Sequence, residues 1–528
     1  MIREFSQKFE KMDKRVEAIL VFVLSILLVF GVTIGVGTIT CGWHLIDDHE
    51  FLRWFYEMKF EGKEVTDIIR AWIIKDLDWR YEPLYYTNRI LSCALFGINL
   101  EYYSILKSVE VFLSYILLYY CGRLMGGGKV NSFLFAAVSL TGYQSAVWWK
   151  LGPQEAQCTL LFAAGFYCML KWLDKNRMSW AAGSLIAFLA MCNYKESFII
   201  LVPFLLLYVL YYDIEKGGGE ISWAGVWKYI RSRLWYYLIL GFIFTVIISV
   251  IVFYVGVNDY DMVGLDASVP WKVYVEAFQD ALRTDLKWYH RFGVLFFMIL
   301  LTYWEKLKKM WKEILLIAVF LLPQIVIFGQ TGIKERYILP SAIGFSMFFI
   351  ILVQKKKILS GKRKMIYQLG IILLLMAHGR VALREADYFR YRGESITTML
   401  ETVREMSQGE ENILSCFRPN EEGNLVIHFW MAVHGLDNVY FWTEEDRIIN
   451  KVYDNNFSYD AEYYEEKDFE EMAIVVMYNK EDRHWCYEPS LDLSDFTEIK
   501  CGTLNIYVRN GCGIEPIFTE IEGARINI

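Results

Sequence analysis

Ten cysteines are spread through 528 residues with no metal-type spacing, so no Cys-ligated metal centre can be argued from them. The C-terminal part contains no G-x-G-x-x-G fingerprint, no P-loop and no nucleophile elbow, which removes the usual sequence grounds for a nucleotide-binding or serine-hydrolase domain. Internal repeats are absent, and low complexity is limited to the glycine turns 126–128 and 217–219. The first apolar run, 18–40, is too long for a signal-peptide core and is followed by no small-x-small cleavage site, so it reads as a retained transmembrane helix.

What is present in excess is apolar length. Hydrophobic residues make up 55% of the chain and mean hydropathy is +0.27. Soluble domains sit nearer 45–50% apolar. Several runs reach the roughly 20 residues needed to cross about 30 Å of hydrocarbon. Trp and Tyr gather at their ends, where an interfacial belt places them.

The net charge of −7 conceals two regions of opposite sign. Residues 384–528 hold 13 Lys+Arg against 30 Asp+Glu, a balance of −17; the remainder holds 41 against 31, a balance of +10. This argues for a membrane domain, 1–385, followed by an acidic water-facing domain, 386–528. Nucleic acid is excluded as a partner of so acidic a tail. Cys93, Cys121, Cys158, Cys168 and Cys192 read as small core hydrophobes. Cys416, Cys486, Cys501 and Cys512 in the tail admit a disulfide whose pairing the spacing does not define.

Basic clusters fix an expected topology, because Lys and Arg concentrate in short cytoplasmic loops. Lys8, Lys11, Lys14 and Arg15 place the N-terminus inside. Eleven spans follow, near 18–40, 102–122, 131–149, 155–173, 178–194, 197–212, 235–257, 291–304, 313–329, 338–353 and 366–383. The basic runs 355–357 and 362–364 serve as topology signals. Residues 43–100 form a long first outer loop. Its apolar piece 83–100 is interrupted by Asn88 and Arg89 and reads as an interfacial helix. A true span there would turn every later basic cluster outward. The tail is expected to be a small α/β or α+β domain, with a helix over 392–407 and strands near 413–417, 438–442, 472–478 and 503–509. The fold class is therefore a mainly α, polytopic helical bundle carrying a small α/β domain on its outer side.

Five polar clusters fall at outer helix ends under this topology: Asp47-Asp48-His49-Glu50, Arg80-Tyr81-Glu82-Pro83, Gln154-Glu155, Lys195-Glu196 and Lys334-Glu335-Arg336-Tyr337. Ionisable groups beside apolar segments are costly unless they face a cavity, a partner or the interface. In the first cluster a positioned carboxylate can take the proton of an attacking hydroxyl. On a helix Asp47 and Asp48 diverge by about 100°, while Asp47 and Glu50 share a face. His49, with His44 nearby, can join the acids in holding a divalent cation, although interfacial hydrogen bonding is the commoner use of such a group. A plain solvated helix start accounts for an acidic tetrapeptide equally well. Lys334 and Arg336 break the positive-inside pattern and suit a clamp on an anionic lipid head group, to which Arg80 and Arg89 can add, Arg89 being equally able to snorkel. Lys195 can present its ammonium to a phosphate, and His378 within the last span reads as packed or polar-facing.

This layout resembles the GT-C superfamily of membrane glycosyltransferases, which includes protein mannosyltransferases and aminoarabinose transferases. The family's acidic pair in the first outer loop is similar to Asp47-Asp48. Its proline-led aromatic stretch ending in a Phe-Gly turn is similar to Pro83-Leu84-Tyr85-Tyr86 with Leu95-Phe96-Gly97. A second acid at the outer start of the fourth span matches Glu155, and Lys195 and Arg336 match the basic residues that hold the lipid phosphate. Two departures stand out. His49-Glu50 lengthens the acidic cluster, and a single Pro83 replaces the double proline of some branches.

The resemblance covers about 15–385 and implies transfer of a sugar from a polyprenyl phosphate to an acceptor hydroxyl of a glycan, lipid or protein. The reaction would invert the anomeric carbon, with Asp47 or Asp48 as base. His49, Glu50 and Glu155 would orient the acceptor or bind a cation, and no other cofactor is implied. The expected setting is the cell membrane, with the C-terminal domain outside. Rival readings are a polysaccharide polymerase or ligase, which relies more on Arg and His, and a transporter, which places charges at mid-membrane.

Overall fold

The computed structural model describes residues 12–525 except 79, 219–220, 256–269, 284–307, 328–336, 338, 408–410, 419–421, 444–445, 451–452, 455–456, 459–464 and 482–488. Within them six helices are long and apolar enough to cross a membrane. They are α1 (Lys14–Val36), α5 (Leu100–Leu124), α7 (Glu155–Lys175), the segment Ser197–Lys216 that ends in α9 (Val202–Lys216), α11 (Leu234–Phe253) and α15 (Gly361–Met406). Between them lie α2 (His49–Lys59), α3 (Val65–Asp76), α4 (Pro83–Phe96), α6 (Lys129–Leu140), α8 (Met178–Tyr194), α10 (Trp223–Ser232), α12 (Trp271–Arg283), α13 (Trp311–Ile327) and α14 (Leu339–Lys355). The protein is an integral membrane helical bundle with a small sheet domain at its C-terminal end. Nine of the eleven expected spans fall on described helices; 131–149 is only partly helical, and 291–304 lies outside the described residues.

Local chemistry explains the helix ends. Asp13 caps α1 by accepting from the Arg15 N–H at 2.8 Å. Asn99 does the same for α5 toward Glu101. Pro83 opens α4 at a position where its missing N–H costs nothing. With 14 residues, α4 is about 21 Å long, less than the roughly 30 Å of hydrocarbon. The expected span 131–149 is broken. α6 stops at Leu140, Gly142 adopts φ 106°, and a short turn leads to the four-residue helix Ala146–Trp149. A Cβ at Gly142 would come within 3.3 Å of the His378 ring, so the break also seats α15.

Apolar side chains of α1 and α11, among them Ile19, Leu27 and Phe242, point outward as lipid contact requires. Aromatic packing among Phe162, Phe166, Phe204, Tyr208 and Phe320 builds the interior of α7, α9 and α13.

The last helix differs most from expectation. A span over 366–383 and a separate helix over 392–407 are expected; the chain forms one unbroken 46-residue helix, α15, which crosses the expected domain boundary at 385. Helix-forming side chains continue through the junction, and buried cations replace the apolar run: Arg390 pairs with Asp387 at 3.1 Å, and Arg392 is fully buried.

Beyond α15 lies a six-stranded sheet of order β3-β2-β1-β6-β8-β7, from β1 (Ile413–Ser415), β2 (Val439–Trp442), β3 (Ile448–Ile449), β6 (Ile474–Tyr478), β7 (Phe496–Cys501) and β8 (Leu504–Arg509). A separate two-stranded ribbon joins β4 (Tyr453–Asp454) and β5 (Phe457–Ser458). The four expected strands are present. Strand β1 runs parallel to both β2 and β6, and the helix α16 (Glu422–Val433) makes the crossover from β1 to β2. One sheet face, with Ile413, Ile474 and Ile506, continues the core formed with Met399, Leu400 and Val403 of α15. Alternate residues Leu414, Tyr440 and Val475 build a second core on the other face. Cys416, Cys501 and Cys512 are free thiols, Cys486 lies outside the described residues, and no disulfide occurs among the described residues.

The stem α15 touches the segment that follows α1 through a glycine. A Cβ at Gly393 would come 2.7 Å from the Cys41 carbonyl oxygen and 3.0 Å from the His44 ring, whereas a Cβ at Gly379, on the same helix, meets nothing within 4 Å. Gly393→Ala is expected to destabilise the protein by about 1–3 kcal/mol, and Gly379→Ala to be neutral or stabilising by up to about 1 kcal/mol. Thermal unfolding of the two variants in detergent checks the contrast.

Candidate active site

The segment from Cys41 to Asp48 is laid against α15. Arg392 Nη1 donates to the His44 carbonyl at 2.8 Å, and the Trp43 N–H donates to Thr397 Oγ1 at 3.3 Å. The His44 ring is buried, which drives its pKa down to about 3 with help from Arg392, so the imidazole is neutral.

Asp48 and Asp47 are held in opposite ways. Asp48 is 0% exposed, and its two carboxylate oxygens accept the backbone N–H groups of His44 at 2.6 Å and Ile46 at 3.2 Å. Burial raises its carboxyl while the His44 N–H opposes the rise. Asp47 has a left-handed backbone, φ 55°, a conformation that costs a non-glycine residue about 1–3 kcal/mol unless its surroundings hold it. The surroundings do so from three sides. Its N–H donates to Glu422 Oε2 at 2.6 Å. Its carbonyl accepts from Arg89 Nη2 at 2.5 Å. Gly152 is pressed so closely on it that a Cβ there would be 2.3 Å from the Asp47 Cβ.

Arg89 lies at the centre of this arrangement. Besides Asp47 it donates to Glu50 Oε2 at 2.7 Å and to the Tyr85 hydroxyl, and its guanidinium lies 4.3 Å from the centre of the Phe51 ring. The side chain is buried rather than snorkelling. Burial lifts the Glu50 carboxyl to about 7, against the pull of Arg89. His49 Nδ1 is 3.5 Å from Glu422 Oε2, which ties α2 to the first residue of α16.

A second network lies beside the first. Glu82, 1% exposed, accepts from Lys195 Nζ at 2.8 Å and from Gln154 Nε2 at 2.6 Å. Lys195 is itself buried, and its contact with Glu82 spans 113 residues of sequence. Lys107 donates to the carbonyls of Lys150, Leu151 and Pro153 at 2.9, 3.1 and 2.7 Å, and so shapes the turn that carries Gly152. Glu155 starts α7 at 2% exposure, and its Oε2 has no hydrogen-bond partner among the described residues. A cavity of about 20 Å³ between Arg89, Lys107, Gln157 and Tyr194 has room for one water. Arg80 is half-buried in the turn between α3 and α4, its N–H donating to the Asp76 carbonyl. Lys334 and Arg336 lie outside the described residues.

The structure therefore gathers Asp47, Asp48, His49, Glu50, Glu155 and Lys195 at one end of the bundle. Sequence reasoning gave no role to Glu82, Lys107 or Glu422. A lysine inside an apolar span was the available sign for Lys107. Glu422 had none, being one acid among thirty. No group of three or more His, Cys, Asp or Glu is arranged to hold a metal ion among the described residues.

No family model matches the chain, and no curated protein matches it. Among solved structures it is similar to ArnT from Cupriavidus metallidurans bound to undecaprenyl phosphate, with 9% identity, a TM-score of 0.51, and coverage of 96% of this chain and 100% of that one. It is likewise similar to the same protein in the apo state, with 11% identity, a TM-score of 0.50, and coverage of 94% and 98%. The likeness spans membrane bundle and sheet domain together, so the fold is ArnT-like.

The Asp47 N–H contact can be tested directly. Glu422→Ala is expected to speed amide exchange of residues 44–48 about tenfold or more, the effect of losing a charge-assisted hydrogen bond of about 1.5–3 kcal/mol. Glu422→Gln, which retains an acceptor oxygen, should fall between. Equal exchange in all three proteins would contradict a holding role for Glu422.

Proposed function

We propose that the chain is an integral membrane glycosyltransferase that moves a hexosyl or pentosyl unit from a polyprenyl phosphate to an acceptor hydroxyl. The work is done on the extracytoplasmic face, with the N-terminus inside. The observation that carries this reading is the left-handed Asp47, held by both its backbone groups at the rim of a buried charge network. Support for the donor class comes from the shared fold, since one of the similar structures is of ArnT bound to undecaprenyl phosphate.

In this reading Asp47 is the base. Its carboxylate takes the proton of the acceptor hydroxyl as the acceptor oxygen forms a bond to the anomeric carbon. The bond from that carbon to the phosphate oxygen breaks on the opposite face, and polyprenyl phosphate leaves with the electron pair. Attack opposite the leaving group inverts the carbon. Phosphate is a good leaving group, so nearby cations rather than a strong acid suffice to stabilise its charge. Lys195, Arg80, Lys334 and Arg336 are the cations proposed for this.

Asp48 acts by shaping the loop, because its oxygens are taken up by backbone N–H groups. Glu50 acts through Arg89. His49 and Glu155 remain the groups proposed to orient the acceptor, Glu155 with its unpartnered Oε2. A polymerase or ligase, the second reading, would consume a diphosphate-linked glycan, and its leaving group separates it from the first.

Membranes carrying the protein, supplied with a set of polyprenyl-phosphate sugars, are expected to release undecaprenyl phosphate from at least one donor. Asp47→Asn should slow that release by 10²-fold or more, the usual scale for a lost general base, at an unchanged unfolding temperature. Asp48→Asn should instead lower the unfolding temperature, because it removes one charge-assisted hydrogen bond. Full activity of Asp47→Asn, or release of diphosphate only, would overturn the reading.

A further inference from the structure

A site of another kind lies at the opposite end of the bundle. The segment that ends in α9 begins just past Lys195, beside the charge network, and finishes at Lys216. There α9, α10 and the start of α13 enclose an apolar groove of about 370 Å³, within the range of pockets that hold small ligands. Leu207, Leu210, Ile214, Val226, Leu315 and Leu316 line it.

The helix α10 buries none of its ten residues. Its apolar side chains, Trp223, Val226, Trp227 and Ile230, recur at the spacing of one helical face, with Trp223 92% exposed. Lys228 and Arg231 are exposed between them. A short helix with aromatic residues on one face and cations on the other is suited to lying in a membrane interface.

Acids and cations pair around the groove. Asp213 pairs with Arg233 at 2.6 Å. Glu215 pairs with Lys356 at 2.7 Å and Lys312 at 3.4 Å, and Glu313 with Lys356 at 3.0 Å. These acids are taken up by cations of the chain itself. Lys216, Lys228, Arg231 and Lys309 stand exposed around the same end. Apolar walls beneath a basic rim match a molecule with a hydrocarbon chain and an anionic head.

We propose that this groove is a binding site for one anionic phospholipid. One acyl chain lies against Leu210, Val226 and Leu315, and the head group lies among Lys228, Arg231 and Lys309. A neutral phospholipid would gain the same apolar burial but no attraction from the rim, so the site selects by head-group charge. Bound there, the lipid joins α10, which buries nothing of its own, to α9 and α13.

Native mass spectrometry of the full chain tests this. Protein stripped of lipid is offered equal amounts of dioleoyl phosphatidylglycerol and dioleoyl phosphatidylcholine. The protein is expected to retain one phosphatidylglycerol in several-fold preference. Leu210→Trp with Val226→Trp, which fills the groove, should lose that adduct. Lys228→Glu with Arg231→Glu, which alters exposed side chains only, should bind both lipids about equally. Equal retention of both lipids by the unaltered protein would overturn the proposal. So would a preference unchanged in the charge-reversed variant, an unchanged adduct in a filled variant that still folds, or a peptide held in the groove in place of lipid.

Discussion

Both backbone groups of Asp47 are fixed by side chains that arrive from distant parts of the chain. Glu422, 375 residues away, accepts its N–H, and Arg89, 42 residues away, holds its carbonyl. Gly152 closes the third side, where any Cβ would collide. None of these contacts is local, so the left-handed turn exists only when the first loop, the turn before α7 and the C-terminal domain are all in place. A backbone held this way loses little further freedom when the residue meets a substrate, which is the usual advantage of preorganisation. The C-terminal domain thereby acquires a structural role at the site. Helix α16 follows the parallel strand β1, and its first residue, at the carboxyl end of that strand, is the one that reaches Asp47. In open α/β sheets this edge is the one that commonly binds ligand.

The surrounding charges are buried in compensated sets. Arg89 with Glu50, and Lys195 with Glu82 and Gln154, show how ionisable groups are kept at the end of an apolar bundle: each is matched by a partner of opposite sign or by a set of dipoles. Lys107 is matched by three carbonyls and no carboxylate in that contact, which makes it a shaping residue for the turn at Gly152. Removing one member of such a set leaves the other buried and uncompensated, at a cost of about 3–5 kcal/mol. Truncation of these side chains is therefore expected to act through folding as well as through chemistry, which is why the isosteric change at Asp47 is the informative one.

Legibility from sequence followed the range of the interaction. The spans were readable because about 20 apolar residues are needed wherever a helix crosses lipid, and the strands because β-branched and aromatic residues cluster in short runs. The acidic tetrapeptide was readable as a cluster, but Asp47 and Asp48 could not be told apart. The difference between them is a backbone conformation that neighbours 42 and 375 residues away impose. Spacing on a regular helix was the wrong geometry for that pair, because α2 starts only at His49. Arg89 read as an addition to the lipid clamp or as a snorkelling residue because Glu50 and the Asp47 carbonyl meet it only when the first loop packs on α4. The continuity of α15 through residue 385 was hidden by the switch from apolar to charged composition, which marks the end of the membrane and not the end of the helix.

The central claim is that the chain adds a sugar to a cell-surface acceptor using Asp47. Comparing surface glycans, glycolipids and glycoproteins of cells lacking the gene with cells carrying it tests this most directly. The account predicts that one sugar substituent disappears on deletion, returns with the unaltered protein, and does not return with Asp47→Asn present at the same level in the membrane. Identical glycans with and without the protein, or full restoration by Asp47→Asn, would contradict it.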